Sequence, residues 1–172
     1  MISSSDKGLK GDDMVGIAGG EITIDAGTDG VRSDNTVVVY DGSLNIEYSS
    51  EGIESSAVVI NDGEITVNAM DDGINATQKV DGVYPGIEIN GGVITVNMAQ
   101  GDTDALDSNG YLYVNGGEIY LNAQSPFDYD GEGSYTGGTI YVNGTEVDGI
   151  YNQMMGGHGF GGGGFGGGPG GW

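Results

Sequence analysis

The sequence predicts an all-β fold, a parallel β-helix (solenoid) of about six turns with three short strands in each turn. Three observations carry this prediction: a repeat of about 21–22 residues, alternating apolar residues inside each repeat, and an excess of β-branched side chains. Ile and Val together number 30 against 5 Leu, and such residues favour strands over helices. We expect a right-handed solenoid, because parallel crossover connections are almost always right-handed.

A glycine turn marks each repeat, and the strands are placed relative to it. The first strand is centred on an apolar residue about ten positions before the turn, the second is an apolar pair before the turn, and the third is an alternating pair after it. The turns are Gly19-Gly20, Asp41-Gly42, Asp62-Gly63, Gly91-Gly92, Gly116-Gly117 and Gly137-Gly138. The first-strand residues are Leu9, Val31, Ile53, Ile74, Leu106 and Phe127. One repeat buries nothing alone, so the repeats must stack with equivalent side chains about 4.8 Å apart.

The repeats divide the chain into a β-helix domain, residues 1–150, and a glycine-rich C-terminal tail, residues 151–172. The turn glycines are spaced 22, 21, 29, 25 and 21 residues apart, so two repeats carry insertions, the clearest of them from Thr77 to Pro85. The sixth repeat is weaker, because Gly133 and Tyr135 replace the apolar pair before its turn.

Composition and charge exclude several classes of function. The chain of 172 residues carries a net charge of −22, which excludes nucleic acid as a partner. No apolar run approaches the ~20 residues of a membrane span, so we expect no membrane insertion. The chain has no cysteine, and its one histidine, His158, lies in the tail, which argues against thiolate and histidine-based catalysis. We therefore predict no enzymatic activity; a lyase would need a base such as Lys10, Arg32 or Lys79, of which Lys79 is the best candidate.

Acidic residues recur at fixed places in the repeat and predict a calcium site. Acids just before successive first strands are Asp29, Glu51, Asp72 and Asp104, which we call the acidic ladder. Stacked carboxylates repel one another by roughly 3–4 kcal/mol at an effective dielectric of 20, and hard oxygen ligands at close spacing favour Ca²⁺. The predicted metal ligands are Asp12, Asp29, Asp34, Glu51, Asp72, Asp104 and Asp107. The alternative is an acidic surface that water alone screens.

A second row of outward side chains predicts a sugar-binding surface. The third strands carry outward residues that we call the Thr/Tyr face: Thr23, Asn45, Thr66, Thr95, Tyr120 and Tyr141. Hydroxyl groups and aromatic rings on a flat face suit a sugar polymer. The predicted carbohydrate-binding residues are Thr66, Thr95, Tyr113, Tyr120 and Tyr141, where Tyr113 comes from a second strand. The alternative is the ordinary preference of Thr and Tyr for exposed strands.

The recurring unit resembles a bacterial family of carbohydrate-binding domains over about residues 5–145. It reads Asp29-Gly-Val31-Arg-Ser33 or Asp72-Gly-Ile74-Asn-Ala76 and leads to a glycine turn and Ile-x-Val. The family is typified by a clostridial cell-surface protein that binds cellulose and acidic pectic polymers. The resemblance implies a right-handed β-helix similar to polysaccharide lyases, with Ca²⁺ at its turns and no established catalysis. It also implies that the acidic ladder is linked to calcium, although Glu51 stands where the unit elsewhere has Asp.

The sequence therefore predicts an extracellular or cell-surface, calcium-binding solenoid that binds a polysaccharide such as cellulose or pectate without cleaving it. The alternative is a subunit of an extracellular filament, in which the turns continue from one copy of the chain into the next. The first turn begins at Leu9 and the last is followed by glycine, so both ends are expected to be uncapped. Phe160, Phe165 and Trp172 would then anchor the tail in a neighbouring copy.

Overall fold

The structure, a computed structural model, describes residues 1–101 and 103–152. The predicted fold class is confirmed: the chain forms an all-β solenoid of about six turns with mostly parallel strands. The right-handedness stays a prediction. Within these residues there is no helix of the length and apolarity that a membrane crossing requires. Phe160, Phe165 and Trp172 lie outside the described residues.

The strands form three walls, one for each strand of the repeat. The first wall is a parallel sheet of β2 (Leu9–Gly11), β4 (Asp29–Ser33), β6 (Glu51–Ser55), β9 (Ile74–Ala76), β12 (Asp104–Ser108) and β15 (Ser125–Tyr129). The second wall contains β7 (Ala57–Ile60), β10 (Gly86–Ile89), β13 (Tyr111–Val114) and β16 (Gly133–Tyr135). The third wall contains β1 (Ile2–Ser4), β8 (Glu64–Ala69), β11 (Val93–Met98), β14 (Glu118–Asn122) and β17 (Thr139–Val142). Two long strands, β3 (Met14–Ala26) and β5 (Thr36–Ser49), run through the glycine turn and supply both the second and third walls.

The core consists of the predicted apolar ladders. Strand pairing places Val31 beside Ile53 and Ile53 beside Ile74, and all three side chains are fully buried. Each buried Ile or Val contributes about 1.5–3 kcal/mol, so the ladders supply the main driving force for stacking. The weak sixth turn is also confirmed, because β16 is short and pairs Gly133 with Leu112.

Glycine is required where neighbouring turns approach most closely. Gly92 has a φ of +88°, and a Cβ there would lie 2.7 Å from the carbonyl oxygen of Gly63 in the preceding turn. On the first wall, a Cβ at Gly52 would lie 2.2 Å from the carbonyl oxygen of Gly73. These glycines let consecutive turns stack at strand spacing, which fixes the register of the outward side chains as well.

The ends of the solenoid differ from the expectation of uncapped edges. At the N-terminal end, β1 pairs with β3 and adds a strand before the predicted first turn. At the C-terminal end, β18 (Thr145–Val147) folds back antiparallel onto β17 through Asn143 and Gly144, whose φ values are 49° and 79°. The expectation that the sixth repeat is uncapped is therefore wrong at the third wall. There, Asn143 and Gly144 form a two-residue hairpin loop, and β18 covers the edge of β17.

Candidate functional site

The third wall brings the predicted sugar-binding residues into one row. In strand register, Thr66 lies beside Thr95, Thr95 beside Tyr120, and Tyr120 beside Tyr141. All four side chains are half-buried and point away from the core, because the alternate residues of the same strands fill it. The structure thus unites four of the five predicted residues on the Thr/Tyr face.

Tyr120 and Tyr141 form a stacked pair on this face. Their ring centroids are 5.0 Å apart and their planes are inclined by 10°. The hydroxyl of Tyr120 donates a hydrogen bond to Glu118 Oε1, and the carboxylate raises the pKa of the Tyr120 hydroxyl. The pair is therefore held in place from both the neighbouring ring and the neighbouring carboxylate.

A row of asparagines borders the Thr/Tyr face and is linked by hydrogen bonds between turns. Asn97 Nδ2 donates to Asn68 Oδ1 at 3.0 Å, and Asn122 Nδ2 donates to Asn97 Oδ1 at 2.7 Å. Asn68 Nδ2 donates in turn to the carbonyl oxygen of Ile46 at 2.9 Å. This asparagine ladder fixes the third wall, so the Thr/Tyr face is a rigid surface.

Tyr113, the fifth predicted residue, belongs to a different surface. It lies on the second wall, where Tyr111 packs against it with ring centroids 4.6 Å apart. Tyr84, from the predicted insertion, stacks on Tyr111 at 6.3 Å and is 64% exposed. This cluster borders a cavity of about 480 Å³ formed by the insertion and Asn109. The sequence analysis missed Tyr84 and Tyr111, although Tyr111 shares the face of Tyr113 by the two-residue period of a strand.

The acidic ladder forms on the first wall as expected. Asp29 pairs with Glu51 in strand register. The backbone continues the stack, because the N–H of Gly52 donates to the carbonyl oxygen of Asp72 and the N–H of Gly73 donates to that of Asp104. The four acids therefore occupy equivalent places in consecutive turns.

All four basic residues of the chain lie at the N-terminal end of this wall or reach toward it. Lys7 and Arg32 contact Asp29 at 3.3 Å and 3.5 Å, and Arg32 also lies 3.6 Å from Asp34. Lys10 contacts Asp12 at 3.1 Å. Three predicted metal ligands, Asp12, Asp29 and Asp34, are thus paired with cations of the chain itself.

A buried carboxylate, Glu54, forms the centre of this charged cluster. The residue is 4% exposed, and its two carboxylate oxygens accept hydrogen bonds from Arg32 and Lys79. Lys79 comes from the insertion, which folds over the first wall at this point. No sequence signal marked Glu54 as a special acid; its role follows from the place of the insertion.

The C-terminal half of the first wall carries carboxylates without such partners. A second row, three residues after the acidic ladder, continues from Glu54 through Asn75 and Asp107 to Asp128. Asn75 Nδ2 donates to Glu51 Oε2 at 3.0 Å and to Asp72 Oδ2 at 3.1 Å. Asn75 is only 7% exposed, yet its Oδ1 has no hydrogen-bond partner. Buried oxygens of this kind are expected to have a partner.

Burial makes the ionised state of these acids costly. Burial, together with the charges of Glu54 and Asp72, raises the pKa of Glu51 to about 7. Burial is also the main cause that raises the pKa of Asp72 to about 6. The pKa of Asp107 rises to about 7 because burial is reinforced by Asp72 and Asp104. The site therefore concentrates negative charge where water solvates it poorly.

One protein family matches this sequence over residues 1–149, and its description is carbohydrate-binding domain-containing protein. The chain belongs to this carbohydrate-binding domain family. Curated proteins and solved structures give no match. The match spans all three walls, so the family resemblance inferred from the Asp-Gly unit is confirmed.

The family membership directs attention to two surfaces of the solenoid. One is the Thr/Tyr face, and the other is the unpaired part of the first wall, which we call the acidic patch: Glu51, Asp72, Asp104, Asp107 and Asp128. In the part of the chain that the structure describes, no salt bridge reaches the acidic patch. Over the same residues, no group of three or more Asp, Glu or His side chains has the arrangement needed to hold a metal ion. An ion would have to draw the carboxylates of the patch together.

Proposed function

We propose that this member of the carbohydrate-binding domain family binds a polysaccharide on its Thr/Tyr face, without cleaving it, as a calcium-binding module outside the cell. The observation that carries the proposal is the in-register row of Thr66, Thr95, Tyr120 and Tyr141 on a chain of this family. Threonine hydroxyls exchange hydrogen bonds with sugar hydroxyls, and the C–H faces of a pyranose pack on aromatic rings. The proposal includes an extracellular or cell-surface location, because structural polysaccharides and millimolar calcium, the two proposed ligands, both occur outside cells.

The charges beside the Thr/Tyr face favour a neutral polymer there. Three strands of the third wall carry a glutamate two residues before their Thr/Tyr-face residue: Glu21, Glu64 and Glu118. These carboxylates would repel an anionic polysaccharide. An acidic polymer such as pectate therefore fits only where calcium bridges its carboxylates to those of the protein. The acidic patch on the first wall is the surface that could hold such a bridge.

The acidic patch has the donor chemistry that calcium prefers. Glu51, Asp72, Asp104 and Asp107 offer carboxylate oxygens, and the unpartnered Oδ1 of Asn75 offers an amide oxygen. A bound Ca²⁺ would replace the protons that the raised pKa values favour and would remove the repulsion between turns. Asp12, Asp29 and Asp34 are left out of the proposed site, because Lys10, Lys7 and Arg32 already neutralise them.

The surroundings of Lys79 support binding without catalysis. As a lyase base, Lys79 would need a free amine, but its ammonium group donates to the buried carboxylate of Glu54. If Lys79 lost its proton in order to act as a base, Arg32 would be the one remaining cation paired with Glu54. The ion pair with Glu54 supports a structural role for Lys79, which joins the insertion to the first wall.

The filament alternative is less favoured, because β18 and residues 148–152 cover the C-terminal end of the solenoid. Val147 and Ile150 pack against the core, and Asn152 Nδ2 donates to the carbonyl oxygen of Tyr129 at 2.5 Å. A neighbouring copy could stack there only after this segment moved. Electron microscopy of the full chain with Ca²⁺ would reveal filaments if the alternative were correct.

The test is retention on insoluble polysaccharides. Wild-type protein should bind cellulose, and Tyr120→Ala should bind at least tenfold more weakly, whereas Tyr40→Ala, which removes an exposed tyrosine elsewhere, should bind like the wild type. Retention on pectate should be lost in EDTA, while retention on cellulose persists as long as the protein stays folded. Failure of the wild type to bind either polymer with Ca²⁺ would contradict the binding proposal. Release of reducing or unsaturated sugars would contradict the non-catalytic part.

A further inference from the structure

The two rings of the Thr/Tyr face are stacked along the solenoid axis. Tyr120 and Tyr141 are in register on adjacent strands, and their centroid separation of 5.0 Å is close to the strand spacing of about 4.8 Å. Rings inclined by only 10° at this separation face each other. Each ring therefore covers one face of the other, and the rings do not lie flat on the wall.

Only Tyr120 keeps a face that a sugar can reach. Beyond Tyr141, the next strand is β18, and Glu146 stands directly opposite Tyr141 in the antiparallel pair. On the other side of Tyr120 come Thr95 and then Thr66, whose short side chains leave the ring standing above them. The hydrogen bond to Glu118 holds the ring upright.

The surface on this side of Tyr120 is concave. A depression of about 280 Å³ lies over the first three turns, and Thr23, Asn45 and Thr66 form part of its lining. Thr95 lies between this depression and Tyr120. The base of the proposed sugar site is therefore polar, and the Tyr120 ring forms its one raised side. A sugar placed on Thr95 would have hydroxyl groups below it and a ring face beside it.

We propose that an extended neutral polysaccharide, of the flat β-1,4-linked pyranose type, crosses the third wall at right angles to the solenoid axis, with one pyranose packed on the Tyr120 face that looks toward Thr95. This inference rests on the proposed function and adds the direction of the chain and the place of its central subsite. In a flat polymer the ring planes contain the chain direction. The free face of Tyr120 is on the side of Thr95, its neighbour along the solenoid axis, so in the proposed arrangement the sugar packed on it belongs to a chain that runs across that axis, parallel to the strands.

Substitution at Thr95 distinguishes this arrangement from a polymer that runs along the axis. In Thr95→Tyr, the new ring should stack on Tyr120 and occupy its free face, so the crossing arrangement predicts at least a tenfold loss of affinity. A polymer along the axis predicts unchanged or tighter binding, because the row of rings becomes longer. The matched control is Val59→Tyr, which introduces the same side chain at a half-buried outward position on β7 of the second wall and should bind like the wild type.

The two existing rings supply a second measurement. Tyr120→Ala should lose at least tenfold in affinity and Tyr141→Ala less than threefold, because Tyr141 only supports the ring behind the subsite. Affinities for a soluble β-1,4-linked glucose hexamer, measured by calorimetry on variants with wild-type melting temperatures, give the comparison. Wild-type binding with equal losses at both tyrosines, or with an unaffected Thr95→Tyr, overturns this inference alone. No binding by the wild type overturns the proposed function, and the inference with it.

Discussion

The first and third walls stack their outward side chains by the same geometry but with opposite results. On the third wall, Asn97 donates to Asn68 in the turn before it and accepts from Asn122 in the turn after it. On the first wall, the residues at equivalent places are carboxylates, which only accept. A parallel solenoid repeats every side chain at about 4.8 Å, so a self-complementary side chain is stabilised and a like-charged one is destabilised.

The first wall itself divides into a compensated and an uncompensated half. The four cations of the chain pair with Asp6, Asp12, Asp29, Asp34 and Glu54, whereas none of them pairs with the acidic patch. The asymmetry shows that net charge alone does not describe the surface: one half of the wall is stabilised by the chain itself, and the other needs protons or a bound cation. Four predictions, from the largest expected effect to the smallest, test this comparison.

Removal of Arg32 should be the most damaging change on the first wall. Arg32→Met leaves the buried Glu54 and Asp29 short of a cation, and loss of one partner of a buried pair costs about 3 kcal/mol. Urea unfolding measures the free energy of unfolding. The control is Lys10→Met, which removes an exposed pair with Asp12 and should cost less than about 1 kcal/mol. Equal losses in the two variants would show that burial of the Arg32 cluster has no special weight.

Calcium should stabilise the acidic patch by mass action. At a concentration 100 times its Kd, Ca²⁺ adds about 2.7 kcal/mol, which corresponds to a rise in Tm of about 5–10 °C for a chain of this size. Thermal melts with EDTA and with millimolar Ca²⁺ measure the shift. Asp107→Asn should lose most of it, and Glu146→Gln, an exposed acid on β18, should keep it. Identical melting with and without Ca²⁺ would exclude the ion from the patch.

The ion-free protein should lose stability as the pH rises from about 4 to about 7. Glu51, Asp72 and Asp107 have raised pKa values of about 7, 6 and 7 in the folded state, so they hold protons that the unfolded chain has already released. Below the ordinary carboxylate range the stabilisation is complete, and it is lost as the pH passes the folded-state values. Tm measured in EDTA should therefore fall over this range, and less steeply with Ca²⁺.

Variants separate this local effect from the general repulsion of a highly acidic chain. Glu51→Gln should flatten the fall of Tm with pH, because it removes one of the raised carboxyls. Glu21→Gln, which removes an exposed acid from the third wall, should leave the slope nearly unchanged. A slope that responds equally to both variants would assign the effect to net charge.

The smallest expected effects belong to the asparagine ladder. Asn97→Ala removes a donor and an acceptor and should lower the free energy of unfolding by about 1 kcal/mol. Asn97→Asp should cost more at pH 7, because the carboxylate cannot donate to Asn68 and brings a charge into the row. Asn45→Ala, a half-buried residue in the neighbouring row, is the control and should change little. An Asn97→Asp variant as stable as the wild type would contradict the view that stacked asparagines stabilise the solenoid and stacked carboxylates destabilise it.

Sequence reasoning succeeded where one residue type repeats at one place. The Leu9-to-Phe127 ladder, the weak sixth turn and the Thr77–Pro85 insertion were all predicted from periodicity. It failed where a local irregularity intervenes. Asp25 and Glu47 come directly after the paired residues Ile24 and Ile46, yet a bulge after Ile46 pairs Asp25 with Tyr48. The β17–β18 hairpin was also missed, although Asn143-Gly144 is its sequence signal.

By itself, the sequence determined that this chain stacks into a solenoid and which side chains point inward, because the two-residue period of a strand and the length of the repeat leave no other way to bury Ile and Val. Only the tertiary structure decided which outward residues meet. It packed Tyr113 against Tyr111, paired Asp29 with Lys7 and Arg32, and left Glu51 beside a buried Asn75 without a cation. The physical reason is that burial follows from period, whereas pairing follows from where insertions and turns place the few cations and rings.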